Sequence, residues 1–202
     1  MNFIQFKSTL NDFPVFSTAD IRTVDSNFDR RRLNEWQGKG YIRKISKGLY
    51  IFSDVDIDES MLFRIANKLY RPSYISLETA MAHYQLIPEV VYGVTSVSTR
   101  RTYRFGTSLA HFTFRTVSPR LFFGYMLTSE AAKIATVEKT LLDFFYLNPE
   151  INNPKAYDSL RVDRNALSDQ LDETSLRHLL DRFGSATLSQ RINRFLEWTK
   201  HA

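Results

Sequence analysis

An α+β fold is predicted: an N-terminal winged helix-turn-helix followed by a mixed α/β domain with a helical C-terminal tail. Three observations predict it. Residues 29–52, DRRRLNEWQGKGYIRKISKGLYIF, place a basic helix before two β-rich runs joined by Ser46-Lys47-Gly48. Residues 1–53 hold nine Lys/Arg against five Asp/Glu, and the next seven residues, 54–60, carry four acids and no base. Beyond them, helical periodicity alternates with β-like runs and returns as a helix-rich C-terminal stretch.

The elements follow in order. Phe3 to Leu10 reads as the first helix, and Ser17 or Thr18 as the cap of a second that runs to about Val24. Asp25-Ser26-Asn27 is a turn, with Ser26 and Asp29 spaced as a capping box. A third helix is expected over Phe28 to Gln37, stopping at Gly38 or Gly40. Tyr41 to Ile45 and Leu49 to Phe52 complete a hairpin. Domain boundaries are therefore expected at 1–53 for the winged helix and 54–60 for an acidic linker. A second domain then spans 61–202, its helical tail beginning near 152. The string Asp54, Asp56, Asp58 matches part of a calcium loop, but Glu59 stands where that loop needs glycine and Ile65 where it needs a bidentate glutamate.

In the second domain Met61 to Tyr70 is helical, with Leu62, Ile65, Ala66 and Leu69 on one face. Ser76 caps a short helix over Leu77 to Tyr84, ended by Ile87-Pro88. Strands are expected over Val90 to Thr99, Ala110 to Ser118 and Leu121 to Thr128. Ala131 to Leu147 carries the strongest helical pattern in the chain, closed by Asn148-Pro149. Two or three helices follow, with turns at Asn153-Pro154 and Phe183-Gly184.

The third helix bears on function. Advancing about 100° per residue, Phe28, Leu33 and Trp36 fall on one face, and Arg30, Arg31, Asn34 and Gln37 on the opposite one. Arginine, asparagine and glutamine are the side chains that contact guanine and adenine edges bidentately. Arg43, Lys44 and Lys47 belong to the hairpin, Lys47 at its tip, where positive charge meets phosphate. These seven residues are the candidate contacts to double-stranded DNA. A merely solvated basic face, or a protein-binding adaptor surface, is the rival reading. A second basic cluster, Arg100, Arg101 and Arg104 with Tyr103 and Phe105, is a candidate surface for a macromolecular partner.

Composition excludes more than it selects. The 202-residue chain has 43% hydrophobic residues, no cysteine and a net charge of +5. Its apolar runs are far too short for a membrane span, and a cytoplasmic location is expected. His83, His111, His178 and His201 lack metal-ligand spacing, and neither a nucleophile elbow nor a phosphate-binding glycine loop is visible. No catalytic residue, metal or cofactor is expected. An enzyme reading would rest on Glu138 or Asp143; Glu138 and Lys139 are adjacent on a helix and point different ways.

The stretch Leu33 to Tyr50, with Gly40-Tyr41-Ile42 and Lys47-Gly48-Leu49-Tyr50, resembles the N-terminal winged helix of the AbiEi-type antitoxins. Two further segments, RPSYISLETA at 71–80 and IATVEKTLLD at 134–143, extend the resemblance over roughly residues 5–147. The resemblance implies a bacterial type IV toxin–antitoxin system. Its antitoxin neutralises a nucleotidyltransferase-like toxin without a stable complex, and its winged helix represses the operon's promoter. A homodimer on DNA is a further expected partner arrangement. The C-terminal domain carries the antitoxicity in that family, which has no fixed catalytic residues. Arg30, Arg31, Lys44 and Lys47 match the family's basic N-terminal surface in kind. Some relatives are solitary regulators, so a winged-helix transcription regulator with a ligand-sensing or dimerising C-terminal domain is the alternative.

Overall fold

The structure, a computed structural model, describes residues 2–88 and 93–201. Its N-terminal part runs α1 (Phe3–Thr9), β1 (Val15–Ser17), α2 (Thr18–Val24), α3 (Arg31–Gly38), β2 (Ile42–Ser46) and β3 (Leu49–Phe52). The three strands form an antiparallel sheet in the order β1-β3-β2, the topology of a winged helix-turn-helix. Ser17 caps α2 through a capping box with Asp20. Helix α3 starts three residues later than its periodicity predicts, and no Ser26–Asp29 box forms. Asp29 Oδ1 instead accepts the Arg31 N–H at 2.9 Å, a local turn that competes with helix in this short polar stretch. The strand β1 was not expected. Its three residues are too short for a periodicity signal, and pairing with β3 creates it.

The second part is a six-stranded mixed sheet flanked by helices. It comprises α4 (Glu59–Leu69), β4 (Ser73–Ile75), α5 (Leu77–His83), β5 (Val94–Ser98), β6 (Tyr103–Gly106), β7 (His111–Thr116), β8 (Tyr125–Leu127), β9 (Lys133–Ala135) and α6 (Val137–Leu147). The strand order is β6-β7-β5-β4-β9-β8, with β4 parallel to β9 and β5 parallel to β7. The first residues of the expected strand Val90 to Thr99, 90–92, lie outside the described residues. The expected helix Ala131 to Leu147 divides: its first turn is instead β9, whose Ile134 pairs with Ile75, and Thr136 caps what remains. Where Leu121 to Thr128 was expected as one strand, a 3₁₀ turn at Pro119–Leu121 precedes the short β8. Four helices rather than two or three form the tail: α7 (Pro154–Leu160), α8 (Arg164–Gln170), α9 (Glu173–Phe183) and α10 (Ala186–His201).

Strand β3 is buried along its whole length, which is unusual for a wing. Tyr50 and Phe52 enter the N-terminal core with Phe6, Phe16, Leu33 and Trp36. Leu49 and Ile51 point the other way, into a core shared with Phe63 and Ile65 of α4 and with Ile75, Phe112 and Ile134 of the large sheet. Alternation along one strand thus joins the winged helix to the rest of the chain. On the opposite face of the large sheet, Tyr74 and Val97 pack with Leu141, Leu142 and Phe145 of α6 and with Leu176, Phe183 and Phe195 of the tail.

Inside that second core lies an ion pair with no exposed side-chain surface, Lys139 with Asp143, one turn apart on α6. Asp143 Oδ2 also accepts from the Tyr74 hydroxyl at 2.8 Å and the Ser76 hydroxyl at 3.0 Å, and Lys139 Nζ donates to Tyr74 Oη at 2.9 Å. Ser76 therefore does not cap α5 as expected. Thr95 Oγ1, from the neighbouring strand, accepts the Thr79 N–H at 3.0 Å in its place. The rings of Phe183 and Phe123 lie 4.9 and 5.2 Å from Lys139 Nζ. Gly124 is required beside them: at φ +71°, a Cβ there would stand 3.0 Å from Lys139 Cγ. Burial pushes the Asp143 carboxyl up and the Lys139 ammonium down, against the attraction between them. Removing one partner strands a buried charge, so Asp143→Ala is expected to cost about 3–5 kcal/mol in urea denaturation. Lys139→Met/Asp143→Leu should recover part of that loss; a single-variant loss below about 1 kcal/mol would contradict this account.

Candidate nucleic-acid interface

Helix α3 turns its apolar face inward as the wheel predicts. Leu33 and Trp36 are buried, Trp36 against the rings of Phe3, Phe6 and Phe28. Arg30, Arg31 and Asn34 are exposed. Arg30 occupies the position before the first helical residue, and Arg31 is that residue. Among the described residues neither guanidinium forms an ion pair. Two expected contacts are less available. Gln37 is half-buried and its Nε2 donates to the Leu33 carbonyl at 3.0 Å, so its amide serves the helix itself. Arg43 is half-buried on β2, with an Nε that is enclosed and has no hydrogen-bond partner.

The hairpin presents Lys44 and Lys47 to solvent. Its tip is anchored: the Gly48 carbonyl accepts the Thr18 N–H at 3.0 Å, and Gly48 adopts φ +78°, a conformation that favours glycine. The wing is therefore a short projection tied to the start of α2. Near the end of α3, Glu35 holds Lys39 in an i,i+4 pair, which keeps the Glu35 carboxyl below its ordinary range. The candidate side chains that remain exposed are four cations and one amide: Arg30, Arg31, Asn34, Lys44 and Lys47.

The second basic cluster is a different kind of surface. The Arg100 guanidinium stacks 4.4 Å from the Tyr70 ring centroid, and the Arg101 carbonyl accepts the Tyr70 hydroxyl at 2.9 Å. Both residues thus help close the end of the sheet. Arg104 stands exposed on β6, an edge strand, beside Tyr103 and Phe105, which pack on Tyr70. Among the described residues no group of three or more His, Cys, Asp or Glu is placed to hold a metal, and no helix is long and apolar enough to cross a membrane.

What sequence reasoning missed is how firmly this surface is mounted. Lys68 of α4 reaches the N-terminal unit, donating to the Val15 carbonyl at 2.7 Å and to Asp20 Oδ2 at 2.9 Å. Only the acid at the third position after a cap hints at it in the sequence.

A scan against protein-family models and a search of curated proteins find no match. Among solved structures, the chain is similar to the RV2827C protein from Mycobacterium tuberculosis, with a TM-score of 0.58 and 12% identity over 96% of this chain and 77% of that one. At that identity the likeness is one of fold, and it extends over the winged helix and the α/β domain together.

Asp20 offers a direct check on the mounting. Burial opposes its ionisation, but the Ser17 N–H, the Lys68 ammonium and the Ser17 hydroxyl outweigh it and hold the carboxyl below its ordinary value of 3.8. A depressed carboxyl contributes stability above that ordinary value and loses it as pH falls through the folded one. Asp20→Asn is therefore expected to cost about 1 kcal/mol at pH 7 in chemical denaturation. The gap between the two proteins should narrow as pH falls below that ordinary value, and a gap unchanged by pH would refute the assignment.

Proposed function

We propose that this chain is a bacterial antitoxin of the type IV class, acting in the cytoplasm, which represses its own operon by binding promoter DNA through the winged helix. In this reading it also neutralises a nucleotidyltransferase-like toxin through the C-terminal domain. The observation that carries the DNA half is the outward row on α3 and the wing: Arg30, Arg31 and Asn34 where a recognition helix meets base edges, Lys44 and Lys47 where a wing meets phosphate. The antitoxin half rests on the resemblance of residues 33–50, 71–80 and 134–143 to the AbiEi-type family. A solitary regulator of the same architecture is the second reading, favoured by the extensive core that joins the two parts and would transmit an event in one to the other.

Gln37 and Arg43 take lesser parts here, because the first is bonded to its own helix and the second is half enclosed. All three arginines of the second cluster are exposed, and Arg104 is offered to the toxin in preference to Arg100, whose guanidinium is stacked on Tyr70. Within the C-terminal half, Glu138 accepts the Asp172 N–H at 3.1 Å and Asp143 lies wholly buried, so both have structural employment and catalysis is not proposed.

Fluorescence anisotropy with a duplex from the chain's own upstream region tests the DNA half. Binding should be tighter than to a scrambled duplex, and Arg30→Ala/Arg31→Ala should weaken it at least tenfold, since each base-edge contact is worth about 1–3 kcal/mol. If about six phosphates are neutralised, log Kd should change with log salt with a slope near 5. Equal binding to both duplexes, unaffected by the double substitution, would remove the repressor. Rescue of cell growth on co-expression with the neighbouring toxin gene separates antitoxin from solitary regulator.

A further inference from the structure

A cleft of about 450 Å³ opens between the winged helix and the large sheet, and nothing in the DNA-binding reading uses it. Four segments line it. The loop after α1 supplies Asp12 and Phe13, α4 supplies Arg64 and Lys68 one turn apart, the approach to β4 and its first residue supply Arg71 and Ser73, and β9 supplies Lys133, whose ammonium lies 5.6 Å from the Tyr125 ring. Alternation within β4 puts Ser73 on the same side as Ile75, the side on which α4 packs, and Arg71, two residues ahead of the strand, lines the cleft beside it.

Four features of this cleft need a ligand to make sense of them. Phe13 is 48% exposed although it stands at the mouth of a cavity in a chain with ample core to receive it. Ser73 is only 3% exposed, and its hydroxyl has no hydrogen-bond partner, which is costly for a buried polar group. Arg71 is exposed and forms no ion pair among the described residues, and Arg64 reaches only the Asp12 carbonyl, at 3.3 Å. Lys68, by contrast, is committed to Asp20 and Val15, and its ammonium also lies 5.3 Å from the Phe13 ring. The cleft thus combines two arginine forks suited to phosphate oxygens, a buried hydroxyl at the floor, a flat ring free on one face and a single carboxylate.

We infer that this cleft binds a free mononucleotide. The phosphate sits between Arg64 and Arg71 with Ser73 donating from the floor, the base stacks on Phe13, and Asp12 accepts from a ribose hydroxyl or a base amino group. The volume holds one nucleotide and not a strand, since ligand clefts of about 300–1,000 Å³ suit single small molecules. The site stands apart from α3, so it does not depend on the DNA reading. It lies between the winged helix and the sheet, which is the location from which a bound nucleotide would affect both.

The test is calorimetric titration of the full chain with AMP and GMP, and with adenosine, inorganic phosphate and a short single-stranded oligonucleotide alongside. A nucleoside monophosphate should bind, with adenosine and phosphate each at least tenfold weaker. Arg71→Ala should weaken AMP about tenfold, the effect of one charge-assisted hydrogen bond. Phe13→Ala should do the same for AMP while leaving phosphate binding unchanged. Both side chains are exposed, so both variants should keep the parent's melting temperature within about 2 °C, and Arg30→Ala/Arg31→Ala should bind AMP normally. No binding by either nucleotide would overturn the inference. So would binding lost only in the Arg30/Arg31 variant, or an oligonucleotide that binds through Phe13 and Arg71 more tightly than AMP, since the cleft would then contact nucleic-acid strands.

Discussion

Lys139 and Asp143 form an ion pair from which water is wholly excluded, and much of the second domain is arranged to make that pair tolerable. An unpaired charge in such a place would cost several kcal/mol, so every group around it has to be present at once. Tyr74 and Ser76 come from β4 and its exit, Phe123 from the loop before β8, and Phe183 from the end of α9. The pair therefore brings together the central strand, the central helix and the tail. Phe123 and Phe183 meet edge to face 5.7 Å apart, which closes the apolar side of the pocket. Such a network fixes one arrangement of the core more strictly than apolar packing alone.

The second constraint is the double burial of β3. A wing that projected freely could move relative to the body, but Tyr50 and Phe52 on one side and Leu49 and Ile51 on the other hold this one between two cores. The Lys68–Asp20 pair adds a polar tie between α4 and α2. The basic row on α3 and the wing thus projects from a rigid mount. The backbone that carries the cations is already ordered before it meets a partner, so only the long side chains remain to be ordered on binding, which favours affinity.

The winged helix was legible because each of its signals is local. Ser17 or Thr18 ahead of a short helix, Leu33 and Trp36 at helical spacing, and Lys47-Gly48 between two β-rich runs can be read without knowing the rest of the chain. What was not legible depends on partners distant in sequence. Strands β1, β4 and β9 have three residues each, too few for alternation to show, and exist because a neighbouring strand accepts them. Lys139 and Asp143 sit at i,i+4 on a helix, where an exposed ion pair is the ordinary expectation, and nothing local announces their burial. Among the site residues, Arg30, Arg31, Asn34, Lys44 and Lys47 emerged on the surface, while Gln37 and Arg43 were drawn inward by bonds and packing that a helical wheel does not contain.

The account turns on whether the outward row of α3 and the wing is the surface that meets DNA. The most direct measurement is NMR chemical-shift mapping of the ¹⁵N-labelled chain titrated with its upstream duplex. The account predicts the largest shifts at Arg31, Asn34, Lys44 and Lys47, with the amides of β6 and β8 at the far edges of the large sheet unmoved. Shifts confined to the large sheet or the tail, with α3 and the wing silent, would contradict it.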